Sequence, residues 1–94
     1  MNHYIIVKFQ QDIADREHLY REIEGLFARS TELDGIHRVQ IHRSSIDLPN
    51  RHDLMIHMEM EPQALPAFDS SWIHREWKER FGEFLVNKTI FDCN

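Results

Sequence analysis

The chain has 94 residues, 41% of them apolar and 29% charged, and a net charge of -5, which fits one globular domain. There is no long basic run, which argues against a nucleic-acid surface. Cys93 is the only cysteine, so no internal disulfide can form, and no segment approaches the roughly 20 apolar residues needed to span a bilayer.

From residue 3 the chain reads His-Tyr-Ile-Ile-Val-Lys-Phe, a β-branched and aromatic run that predicts a first strand over residues 3–9. Ile5, Val7 and Phe9 make its more apolar face. The run is too short, and too soon broken by Lys8 and Gln10, to be the core of a signal peptide. Asp12 or Asp15 is placed to cap a helix in which Leu19, Ile23, Leu26 and Phe27 recur at i, i+4, i+7 and i+8. Gly25 lies inside that helix, and close packing on the sheet would explain it. Asp34-Gly35 ends the helix and turns the chain into a second strand over Ile36–Arg43. There Val39 and Ile41 oppose Arg38, Gln40 and His42.

A polar loop over residues 44–51 leads to a third strand over residues 52–60. Leu54, Ile56, Met58 and Met60 share one of its faces; Met55, His57 and Glu59 share the other. Glu61-Pro62 opens a short helix through about Asp69, with Pro66 making it imperfect. Ser70-Ser71 breaks it and caps a further helix with Ile73, Trp77, Phe81 and Phe84 on one stripe. Residues 87–93 form the last strand. The order strand, helix, strand, strand, helix, strand predicts a single domain over residues 1–94: an α+β fold with a four-stranded antiparallel sheet and helices on one face. The other face, carrying Lys8, Arg38, Gln40, His42, His57, Glu59 and Phe91 with Tyr4, Ile6 and Met55, is left uncovered. Its mixture of charged and apolar residues fits an interface with a second subunit better than open solvent. Lys8 and Glu59 would form an ion pair there if their strands are neighbours.

Chemistry is only faintly written. The three glycines are scattered, Cys93 has no CxxC partner, and no serine sits in a GxSxG elbow. His37 and His42 are five apart, as are His52 and His57, so each pair points to opposite sheet faces. His42 and His57 share a face near Glu59, where polar pairing inside an interface fits better than a metal site. No cofactor is implied. His74 stands one turn into a helix beside two tryptophans, at the edge of the apolar stripe. A histidine there can act as a general base near neutral pH; its plainer reading is a partly exposed helix residue. His3 lies on the face of Ile5 and Val7 and would meet His74 at one end of a pocket, or else is a solvated terminal residue. Phe68, Trp72 and Trp77 line such a cavity or belong to the core.

Taken together, the opening residues 3–9, Asp34-Gly35-Ile36, Asp53-Leu54, His74 and the closing Ile90-Phe91-Asp92 resemble the stress-responsive α/β-barrel, or Dabb, domain. The resemblance spans nearly the whole chain. It implies a ferredoxin-like βαββαβ fold whose subunits pair through their sheets to close a dimeric α/β barrel. Plant relatives that resemble polyketide cyclases use a helix-borne histidine as base, with a tyrosine about six residues earlier. His74 matches that histidine and His3 a pocket-lining one, while Phe68 stands where the tyrosine would be. Ser71-Trp72-Ile73-His74 replaces the common His-Pro-x-His pattern.

The expectation is therefore a cytoplasmic homodimer that binds a small hydrophobic or aromatic molecule between sheet and helices. Its pocket is lined by His3, Ile5, Val7, Leu54, Ile56, Phe68, His74 and Trp77. The alternative is a cyclase- or lyase-like enzyme with His74 as general base and His3 orienting the substrate.

Overall fold

The computed structural model describes residues 1–94. Its elements follow the expected order: β1 (Asn2–Phe9), α1 (Arg16–Ala28), β2 (Ile36–Arg43), β3 (Leu54–Met60), α2 (Ala64–Asp69), α3 (Trp72–Glu76) and β4 (Leu85–Cys93). The strands form one sheet in the order β2-β3-β1-β4, with every neighbouring pair antiparallel.

Alternation decides which side of the sheet is dry. In β1, His3, Ile5, Val7 and Phe9 are buried, and in β3 Leu54, Ile56, Met58 and Met60 are. These side chains meet Leu19, Ile23, Leu26 and Phe27 of α1, together with Phe68, Ile73, Trp77 and Phe81 from the second helical region, in one core. Full burial of a residue such as Ile56 or Phe27 contributes about 1.5–3 kcal/mol. In β2 the pairing shifts between Ile36 and Arg38. This bulge at His37 puts Ile36 on the same face as Val39 and Ile41 despite the odd spacing.

Local signals set the helix ends. The carboxylate of Asp15 accepts a hydrogen bond from the backbone N–H of His18 at 3.1 Å and caps α1. The Ser71 hydroxyl does the same for α3, accepting from the N–H of His74 at 3.3 Å, and donates to the Phe68 carbonyl at 2.7 Å. Gly35 takes φ +83°, and a Cβ there would stand 2.9 Å from that of Ala64. The turn into β2 therefore requires glycine.

The structure corrects several expectations. Gly25 does not pack on the sheet: it is exposed, and a Cβ there would meet nothing within 4 Å. Lys8 and Glu59 lie on neighbouring strands but at opposite ends, because the register sets Asn2 against Glu59. Lys8 instead donates to the Arg51 carbonyl at 2.8 Å. His52 precedes β3 rather than opening it, while β4 starts two residues early, at Leu85. The helix after Ser71 is α-helical for only five residues and continues as a π-helical turn over Trp77–Phe81.

Candidate functional site

The second helical region covers β1 but not the edge strand β4, none of whose residues is buried. A cleft of about 250 Å3 opens between them, lined by His3, Ile5, Leu65, Asp69, His74, Trp77, Lys88, Ile90 and Asp92. Two strands and two helices thus supply its walls. Strand register places Asp92 directly opposite His3 and Ile90 opposite Ile5.

His3 is buried, at 5% exposure. Its Nδ1–H donates to Oδ1 of Asp92 at 2.5 Å, and the carboxylate is itself half-open to solvent. A hydrogen bond from an imidazole N–H to a carboxylate is charge-assisted. It fixes the tautomer and the ring orientation, leaving Nε2 as the nitrogen free for a ligand. Phe68 packs edge-on against both site histidines, its ring centre 6.3 Å from that of His3 and 5.4 Å from that of His74.

His74 is half-buried at the start of α3, where the Ser71 cap holds its backbone. Burial lowers its affinity for a proton below that of an ordinary histidine. The charges of Lys78 and Lys88 and the nearby His3 act in the same direction, and Asp69 opposes them. The ring is therefore a neutral imidazole at pH 7, with a lone pair available. Apolar walls from Ile5, Leu65, Trp77 and Ile90 facing two imidazoles can hold a small molecule with one hydrophobic side and one polar group.

The same fold occurs in known structures at low sequence identity. A dimeric protein of unknown function and ferredoxin-like fold from Bacteroides fragilis superposes with a TM-score of 0.79 at 11% identity, covering 99% of this chain and 93% of that one. The fold is ferredoxin-like. A protein of Arabidopsis thaliana matches with a TM-score of 0.79 at 12% identity, covering 99% of this chain and 92% of that one. A hydroxynitrile lyase from Passiflora edulis matches at 0.75 and 7% identity, covering 96% of this chain and 87% of that one. No protein-family model and no curated protein sequence matches the chain. Similarity at these identities fixes the ferredoxin-like architecture and nothing of the chemistry.

Within that architecture His3, His74, Ile5 and Trp77 come together in the cleft, and Phe68 supports both histidines from behind. Val7, Leu54 and Ile56 do not reach it. All three are fully packed in the core, and Leu54 and Ile56 stand on β3, on the far side of β1 from β4. Trp72 lies elsewhere, in an outer groove between α1 and α3, with the Arg29 guanidinium 4.5 Å from its ring centre. Sequence reasoning gave no role to Asp92, Leu65, Asp69 or Lys88. The signal for Asp92 was its two-residue spacing from Ile90, which puts both on the face of His3 once β4 is paired with β1. The seven histidines do not converge: no three His, Cys, Asp or Glu side chains are grouped to hold a metal ion. No helix is long and apolar enough to cross a membrane.

Proposed function

We propose that this chain is a homodimeric protein of the stress-responsive α/β-barrel type that binds a small molecule in the cleft between β1, β4 and the second helical region. The observation that carries the reading is the meeting of His3 and His74, 71 positions apart in sequence, in one half-apolar cleft. The cleft is small for a drug-sized ligand, since such sites run from about 300 to 1,000 Å3. It suits a compact phenolic or keto acid, with its ring or alkyl part against Ile5, Trp77 and Ile90. The dimer reading draws on the uncovered sheet face and on the dimeric Bacteroides fragilis protein of the same fold.

The neutral state of His74 favours a second, stronger reading: the cleft moves a proton. His74 takes the proton from a carbon next to the ligand's carbonyl, and the electron pair moves onto the carbonyl oxygen. When His3 is protonated, Asp92 balances its charge and Nε2–H can donate to that oxygen. This supplies the oxygen donor that Phe68 cannot. General-base assistance of this kind contributes about 10²–10⁴ in rate.

Trp72→Phe leaves Trp77 as the only tryptophan and a direct reporter of the cleft. Titrating that variant with phenolic and keto acids gives saturable quenching, weakened in the Trp72→Phe/His74→Ala protein. In D2O, NMR of a keto acid with wild-type protein shows accelerated loss of the α-hydrogen signal, abolished by His74→Ala. No fluorescence change across the acids at millimolar concentration overturns the binding reading. Binding without exchange overturns only the proton-transfer reading.

A further inference from the structure

We infer that Lys88 is the carboxylate-binding residue of the cleft, and that the ligand is an acid whose carboxylate and second oxygen stand at opposite ends of a flat apolar spacer, as in 4-hydroxybenzoate. The inference rests on the cleft-binding reading above and names the ligand class for it. Strand register places Lys88, Ile90 and Asp92 opposite Val7, Ile5 and His3. All three therefore stand on the face that the helices share, although β4 is the edge of the sheet. Lys88 is the only lysine or arginine that lines the cleft, and its ammonium makes no ion pair or hydrogen bond within the chain. Its charge is felt at the His74 ring, across the same space. A lysine turned inward on an edge strand also guards against pairing with other chains. That role alone would give the charge of a ligand no weight, so ligand charge separates the two.

The other charges leave an anion one place in the cleft. Asp92 repels a carboxylate from the His3 end, and Asp69, at the end of α2, repels one from the helix wall. Arg75 and Lys78 line a neighbouring polar hollow that shares only Asp69 and His74 with the cleft. Lys88 and Asp92 are four residues apart, about 13 Å along the strand, with Ile90 between them. A carboxylate held by Lys88 thus lies away from His3. The ring of such a ligand crosses Ile90 and Ile5, and its far oxygen reaches Nε2 of His3. With Nδ1–H engaged by Asp92, a neutral His3 can accept the phenol proton at Nε2. An ortho acid carries both oxygens at one end of the ring and cannot serve Lys88 and His3 together.

The test titrates 4-hydroxybenzoate, its methyl ester and 2-hydroxybenzoate at about pH 7, where the carboxyl is ionised and the phenol is not. The Trp77 indole N–H signal in nitrogen–proton NMR spectra reports binding to wild type, Lys88→Met and Lys78→Met. Wild type is expected to bind 4-hydroxybenzoate at least about fivefold more tightly than the ester or the ortho acid. Lys88→Met keeps the stem without the charge, and is expected to erase the preference over the ester by weakening the acid alone. Lys78→Met removes an equal charge from beside His74 and is expected to change each Kd by less than about twofold. Equal Kd for acid and ester in wild type, or a preference that survives in Lys88→Met, overturns the inference and leaves the cleft reading standing. Equal losses in the two lysine variants overturn it as well, since overall charge rather than contact would then set the affinity. An ortho acid that binds as tightly as the para acid overturns the ligand class. No Trp77 shift with any of the three compounds overturns the cleft reading beneath.

Discussion

Single residues here separate the demands of backbone, packing and site. Gly25 and Gly35 are chemically identical and structurally opposite. Gly25 sits in the open middle of α1, where an added methyl touches nothing. Gly25→Ala is expected to stabilise the protein by about 1 kcal/mol, the difference in helix propensity. Gly35→Ala meets both a left-handed backbone and the Ala64 side chain, and is expected to cost about 1–3 kcal/mol. Urea midpoints of the two variants should move in opposite directions; two shifts of one sign would contradict the local geometry. At His74 the expectation concerns pH. Burial and neighbouring cations depress its folded-state proton affinity. Its contribution is therefore fully present above the unfolded histidine pKa of about 6.5 and is lost as the pH falls through the lower folded value. The C2–H signal of His74 should titrate below that of a free histidine, and His74→Gln should flatten the acid side of the stability profile. A midpoint above the free value would mean that Asp69 outweighs burial and the neighbouring cations at the ring.

Among the elements, those with strict periodicity were legible from the sequence. The two-residue alternation of β1 and β3 assigned the faces correctly, since both strands are interior and have one dry side. What was illegible depended on register. That Asp92 meets His3, and that Lys8 misses Glu59, follows from which residues stand opposite in the sheet, and pairing between distant segments leaves no trace in local pattern. The bulge at His37 hid in the same way. Beyond Ser71, Ile73, Trp77 and Phe81 repeat at intervals of four, and on a 3.6-residue helix each such step drifts by about 40°. The π-helical turn over Trp77–Phe81 widens the helix enough to keep all three buried. That region begins at the Ser71 cap, whose hydroxyl joins the end of α2 to the start of α3 and so positions His74. Ser71→Ala is expected to cost about 1 kcal/mol. It should also weaken cleft binding while leaving His74 in place, an effect that a remote cap such as Asp15→Ala would not produce. Equal ligand affinity in the two variants would separate the cap from the site.

For the molecule as a whole, the inner core and the outer sheet face play different parts. Every core residue except those of the helices comes from β1, β2 or β3, and β4 contributes none. The edge strand β4 is held by its ladder with β1 and leaves Val86, Ile90 and Phe91 exposed. An edge strand of nine residues with this much apolar surface invites pairing with another chain unless something covers it. In the dimer proposed here, the partner covers Phe91 on the outer face, and Phe91 is an anchor because it is exposed beside the Tyr4 ring, 6.3 Å away. Anchors of this kind typically contribute at least about 2 kcal/mol, or roughly thirtyfold in Kd. Phe91→Asp puts a carboxylate beside the Tyr4 ring while touching no core residue. The expected outcome is a folded monomer, with its far-UV spectrum retained and its sedimentation mass halved at concentrations where wild type is paired. The cleft faces the helices, on the opposite side of the sheet from Phe91. Ligand quenching of Trp77 should therefore survive in this monomer. If binding vanished along with the dimer, the partner subunit would have to complete the site, and the cleft could not be the self-contained unit that His3, His74 and Asp92 make of it.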